Sequence, residues 1–182
     1  MFSLITGGSA SGKSAFAEDL VMGLPGRRIY LAAMERSGAE SLERIEKHRN
    51  NREGKQFVTI ERTTCLEELD LPADSNVLLE CLGTLTANEM FMPSGGGPEA
   101  VIRGIDHLLS RCSSLTIVAN EVFSGGGSYG EETLRYMREL GRITCLLAAR
   151  ADYVCEIVCG VPNVLKDERG RTGAGKEKGC SC

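Results

Sequence analysis

Short runs of β-branched and aliphatic residues alternate along this chain with longer stretches in which apolar side chains recur every three or four positions. Phe2 to Thr6 is the first short run. It leads into Gly7-Gly8-Ser9-Ala10-Ser11-Gly12-Lys13-Ser14, after which Ala15 to Leu24 reads as a helix stopped by Pro25-Gly26. Arg28 to Ala32, Gln56 to Glu61, Asn76 to Leu82 and Leu115 to Ala119 read as further strands. Tyr153 to Val158 is the last full strand, and Val164 to Lys166 adds a short one. Ser37 to Glu40 has the spacing of a capping box that opens a charged helix running to about Asn50. Val101, Ile102, Ile105, Leu108, Leu109 and Cys112 share one face of a helix over Pro98 to Cys112, and Gly130 to Ala149 forms another. Parallel neighbours need crossover connections, so this alternation predicts an α/β fold with a mainly parallel sheet covered by helices on both faces.

The length of 182 residues suits one domain, here residues 1–166. Residues 167–182, DERGRTGAGKEKGCSC, lack apolar periodicity and read as a polar, mobile tail. With 42% hydrophobic and 25% charged residues the chain can bury a real core. The net charge of −4, with no long block of one sign, argues against a nonspecific nucleic-acid binder. No run approaches the roughly 18 apolar residues of a membrane span. Met1 leads straight into a short apolar run ending in glycines, without a basic signal-peptide region, so a cytoplasmic location is expected. Eight cysteines in such a chain are expected to be reduced thiols, and their spacing offers no zinc site.

Gly7-x-x-x-x-Gly12-Lys13-Ser14 is a complete phosphate-loop pattern placed after a strand and before a helix, which predicts a P-loop NTPase. Backbone N–H groups of Gly7, Gly8, Ser9, Ala10, Ser11 and Gly12 can wrap a β-phosphate, Lys13 can reach the β- and γ-phosphates, and Ser14 can ligate Mg2+. Glu80, closing a Leu-Leu-Glu run, is the candidate acidic residue of the Mg2+ shell; Glu121 could do the same job. His107 lies off the apolar stripe of its helix and reads as an exposed residue without a function. His48 sits among Arg44, Lys47, Arg49 and Arg52, where an anion is stabilised and a histidine cation disfavoured. From reference pKa values, about three quarters of an unperturbed histidine but well under 1% of an unperturbed lysine is neutral at pH 7, so His48 is a better nucleophile than Lys47.

The phosphate loop, Ile29-Tyr-Leu-Ala32, Arg44-Ile-x-x-His48-Arg49, Thr59-Ile-Glu61, Leu-Leu-Glu80-Cys-Leu82, Asn88, Asn120-Glu121-Val122 and Gly160-x-Pro-x-x-x-Lys166 occur in one order and spacing. Together they resemble the bifunctional adenosylcobinamide kinase / adenosylcobinamide-phosphate guanylyltransferase family of cobalamin synthesis. The resemblance implies a RecA-like P-loop fold and two steps. ATP or GTP first phosphorylates adenosylcobinamide; GMP is then moved from GTP to the adenosylcobinamide phosphate through a guanylyl-histidine at His48, giving adenosylcobinamide-GDP and pyrophosphate. It also implies nucleotide contacts at Ala33, Met34, Glu35, Arg49, Asn50, Asn51, Arg52, Glu61 and Glu80, and a homo-oligomer, typically a trimer. After Val122 the family usually continues with a hydrophobic stretch ending in Ile-Val-Pro, where this chain has Phe-Ser-Gly-Gly-Gly-Ser-Tyr-Gly. Two other readings of the residues are a kinase acting on another small hydroxyl substrate and a GTP-dependent switch. The switch lacks an Asn-Lys-x-Asp segment for guanine.

Overall fold

The computed structural model describes residues 1–34, 54–125 and 127–169. The helix expected from Ser37 to Asn50 lies outside them, as does the tail from residue 170 onward. Seven strands form one sheet: β1 (Phe2–Gly7), β2 (Arg27–Ala32), β3 (Phe57–Glu61), β4 (Ser75–Leu79), β5 (Ser114–Asn120), β6 (Tyr153–Val158) and β7 (Val161–Asp167). Their order is β3-β2-β4-β5-β1-β6-β7. All pairings are parallel except that of β7 with β6. The helices are α1 (Lys13–Met22), α2 (Leu82–Phe91), α3 (Pro98–Arg111) and α4 (Glu131–Arg150), with a 3-10 turn at Leu66–Glu68.

Side chains alternate across the sheet with the period of two that a strand imposes. Leu4, Ile29, Leu31, Val77, Leu79, Leu115 and Ile117 face one layer, where Leu82 and Leu85 of α2, Val101, Ile105 and Leu108 of α3 and Leu140, Ile143 and Leu147 of α4 meet them. Ile5, Tyr30, Leu78, Val118, Cys155 and Ile157 face the other, against Ala17 and Val21 of α1. Because both faces are covered, the central strands read as unbroken apolar runs rather than as alternating ones. Tyr30 and Phe57 add an edge-to-face ring pair, with centroids 6.0 Å apart. Glu18 of α1, 4% exposed, is paired with Lys55 at 2.6 Å, which ties α1 to the chain entering β3.

The structure corrects three expectations. The run from Asn76 to Leu82 is not one strand: β4 ends at Leu79, and Cys81 caps α2, its sulfur accepting the Thr84 N–H at 3.3 Å. A cysteine is an unusual cap, so the ordinary Ser/Thr/Asp/Asn signal for this helix is missing from the sequence. His107 is half-buried, its Nε2 2.7 Å from the Leu69 carbonyl, rather than an exposed residue of α3. The short strand expected at Val164–Lys166 is the longer β7, and beyond it the Arg169 guanidinium lies 3.8 Å from the centroid of the Tyr153 ring.

Gly104 lies on the buried face of α3, and a Cβ built there would come within 2.7 Å of the Leu66 Cβ. In an open helix Gly→Ala gains about 1 kcal/mol. Overpacking a filled core costs about 1–3 kcal/mol, and the clash here is with a fully buried leucine, so packing wins. Gly104→Ala is expected to lower stability by about 1 kcal/mol in urea unfolding; an unchanged or raised midpoint would show that α3 can move off the 3-10 turn.

Candidate nucleotide site

The carboxyl ends of six parallel strands lie along one edge of the sheet, and the connections there fix where a ligand can enter. β1 sends α1 onto one face, whereas its neighbour β5 is followed by α4 on the opposite face. Between strands that part in this way a crevice opens beyond the sheet, the usual ligand position of open α/β folds. The glycine loop predicted from sequence occupies that point.

Gly7 meets the closest backbone neighbour in the loop. A Cβ on Gly7 would lie 2.5 Å from the Ile157 carbonyl oxygen of β6. Gly12 caps α1 at φ 93°, a left-handed conformation that side chains disfavour. The loop is closed on itself by the Ser11 N–H on Gly8 O at 3.3 Å and held from two sides, by the Glu121 N–H on Gly7 O at 3.0 Å and the Gly160 N–H on Ser11 O at 2.9 Å. The last comes from the β6–β7 turn, which explains why Gly160 belongs to the motif set. Gly8, Ser9 and Ala10 stay exposed at the rim.

Lys13, only 7% exposed, donates from Nζ to the Gly8 carbonyl oxygen at 2.9 Å, so its ammonium lies folded under the loop it serves. Burial pushes its pKa below the ordinary lysine value, and the nearby Cys81 pulls weakly the other way. An anion seated in the loop would favour the charged form more strongly, because an opposite charge within about 4–6 Å acts directly on the ammonium. Ser14 is half-buried in the first turn of α1, beside this lysine.

The two candidate carboxylates part company here. Glu121 Oε1 accepts the N–H groups of Phe123 at 2.7 Å and Ser124 at 3.0 Å, so this side chain closes its own turn. Glu80 follows β4, half-buried, with its backbone N–H on the Leu31 carbonyl at 3.1 Å. Cys81 next to it is a neighbour that pattern reading missed. Its sulfur accepts Asn120 Nδ2 at 3.6 Å as well as the Thr84 N–H. Tyr136, also beside Cys81, donates to the Gly83 carbonyl at 3.2 Å, and burial pushes its phenol up to about 12. Only the Leu-Leu-Glu-Cys and Asn-Glu-Val segments hinted at this contact; nothing in α4 announced Tyr136.

Ala33 and Met34 leave β2, and Glu61 ends β3, so all three lie along the same carboxyl edge as the phosphate loop. Ala33 is buried, Met34 half-buried and Glu61 exposed. Glu35, His48, Arg49, Asn50, Asn51 and Arg52 lie outside the described residues. Among the described residues no three His, Cys, Asp or Glu side chains gather into a metal cluster, and no helix is long and apolar enough to cross a membrane.

Residues 3–165 match the family model described as cobinamide kinase / cobinamide phosphate guanyltransferase. The chain is 34% identical to the bifunctional adenosylcobalamin biosynthesis protein CobU of Escherichia coli (strain K12) and 35% identical to that of Salmonella typhimurium. In each case 91% of this chain and the whole of the relative are covered. It is 30% identical to the bifunctional adenosylcobalamin biosynthesis protein CobP of Pseudomonas aeruginosa, over 92% of this chain and 99% of that one. The phosphate loop at the parting of β1 and β5 and this full-length similarity lead to one conclusion: the chain belongs to the cobinamide kinase / cobinamide phosphate guanyltransferase family.

Proposed function

We propose that this chain carries out two successive transfers on a cobinamide in cobalamin synthesis, as a cytoplasmic homo-oligomer. The observation that supports this most directly is a complete phosphate loop, with Lys13 buried beneath it, in a chain similar over 91% of its length to bifunctional relatives. In the first step the hydroxyl oxygen of adenosylcobinamide attacks the γ-phosphorus of ATP or GTP. The bond to the bridging oxygen breaks, the nucleoside diphosphate leaves with its electrons, and the hydroxyl proton passes to solvent. Lys13 and the loop N–H groups of Gly8 to Ser14 hold the phosphates in line and offset the charge gathering on their oxygens.

In the second step a neutral imidazole nitrogen of His48 attacks the α-phosphorus of GTP, and pyrophosphate departs. A phosphate oxygen of adenosylcobinamide phosphate then attacks the same phosphorus, and the imidazole leaves, giving adenosylcobinamide-GDP. Splitting the transfer spares the enzyme from aligning two polyanions at once. Arg49, Asn50, Asn51 and Arg52 beside His48, with Ala33, Met34, Glu35 and Glu61, serve as nucleotide contacts in this reading.

Mg2+ takes hard oxygen ligands and needs only one or two from protein beside the phosphates. The Ser14 hydroxyl in the first turn of α1 and the Glu80 carboxylate just beyond β4 are ligands of that kind. Bound there, the ion would neutralise charge on the phosphoryl oxygens.

Incubation with GTP labelled at the α-phosphate should leave label on the denatured protein as an acid-labile, alkali-stable adduct, absent from His48→Ala. Tight GTP binding with no adduct would remove the guanylyltransferase half of the proposal. Glu80→Gln should lower kcat of the kinase step by about 10²-fold, the usual scale for losing one charge-stabilising group. Glu121→Gln, whose amide oxygen can still accept both N–H groups, should cost far less; equal losses would reassign the metal carboxylate.

A further inference from the structure

The loops at the carboxyl ends of β2 and β3 are joined by a side chain that the phosphate-loop chemistry does not use. Asn88, half-buried on α2, donates from Nδ2 to the Ala33 carbonyl at 2.7 Å and to the Thr63 carbonyl at 3.0 Å. The amide nitrogen carries two hydrogens, one for each acceptor, and both neighbours are carbonyl oxygens, so the opposite amide orientation would bring like dipoles together. Ala33 opens the segment that leaves β2, and Thr63 lies two residues beyond Glu61. Arg62 N–H on the Ala32 carbonyl at 2.9 Å carries the strand ladder one step past the sheet, and Asn88 closes it.

The next residue on α2 does something different. Glu89, 1% exposed, accepts the Cys65 N–H at 2.7 Å and the Gly96 N–H at 2.8 Å, which holds the start of the 3-10 turn and the loop before α3. Asn88 and Glu89 are thus two anchors with different bonding partners. Of the two, Asn88 is bonded to the segment that carries Ala33 and Met34.

β2 lies three strand spacings from β1, or roughly 14 Å, beyond reach of the phosphate loop itself. With Ala33, Met34 and Glu61 as nucleotide contacts, a nucleotide whose phosphates sit in that loop has its nucleoside end at β2 and β3. We propose that Asn88 is a positioning residue for the nucleoside half of the nucleotide: by bonding to both strand ends it sets the separation of the Ala33–Met34 turn from Glu61. This inference rests on the reading of those residues as nucleotide contacts.

The test compares binding of GTP and of inorganic triphosphate, each with Mg2+, by calorimetry on folded wild-type, Asn88→Ala, Asn88→Asp and Glu89→Gln proteins. Asn88→Asp keeps the side-chain shape should truncation to alanine prevent folding. Both Asn88 variants should weaken GTP binding by about tenfold, the scale of one or two lost hydrogen bonds, and leave triphosphate binding within about twofold. Glu89→Gln should lower the melting temperature without changing the ratio of the two affinities. If GTP and triphosphate binding fall together, or if Glu89→Gln alters the ratio equally, Asn88 is a structural strut and the inference is overturned. If the wild-type protein binds GTP no more tightly than triphosphate, the assignment of Ala33, Met34 and Glu61 as nucleotide contacts fails, and the inference fails with it.

Discussion

The parallel pairing of β1 with β5, followed by helices that leave on opposite faces, is the constraint on which the rest of this molecule depends. It determines which edge of the sheet is open, and it places Gly7 opposite Asn120 in register. The loop after β1 can then approach β6 so closely that a side chain at position 7 would collide with the Ile157 carbonyl. From the same constraint come the nearness of Cys81, at the head of α2, to Asn120, and the hold of the β6–β7 turn on Ser11.

What could be read in the sequence was what local physics dictates. Apolar runs bounded by glycine, proline or charge marked five of the seven strands closely, β4 and β7 being the exceptions, because buried parallel strands carry little else. The amphipathic face of Pro98 to Cys112 marked α3. The phosphate loop was legible because its chemistry requires particular residue types at fixed spacing. α2 escaped for the opposite reason. Leu82 to Phe91 is apolar through much of its length and buries Leu82, Gly83, Leu85, Thr86 and Glu89, so it has no polar face to set a period of 3.6, and a cysteine caps it. A run that is apolar on entering a helix looks like the continuation of the strand before it, and Asn76 to Leu82 was read that way.

The site divides along the same line. Gly7 to Ser14 could be named from the sequence alone as a phosphate-loop pattern, but that Glu121 Oε1 accepts the Phe123 and Ser124 N–H groups is a tertiary fact that no spacing announces. The roles of Asn88 and Glu89 were hidden too. An amide and a carboxylate in adjacent helical positions carry no periodic signal, and their partners lie 24 or more residues away for Thr63, Ala33 and Cys65.

The net charge of −4 would appear to oppose binding of a polyanion, but magnitudes decide otherwise. At an effective dielectric of about 20 one charge 4 Å from another is worth about 4 kcal/mol, while exposed charges beyond about 8–10 Å are largely screened. Lys13 is the local charge, and it sits where the loop N–H groups and the start of α1 add partial positive charge of their own. Its burial has a cost, visible as a lowered pKa, and its bond to the Gly8 carbonyl offsets part of that cost. A lysine on the surface would avoid the cost but would keep its hydration shell, and its field at a phosphate would be weakened by the same water. Burial thus lowers the stability of the charged lysine and strengthens its interaction with a bound anion, and the two effects have one origin in the shielding of Lys13 from solvent.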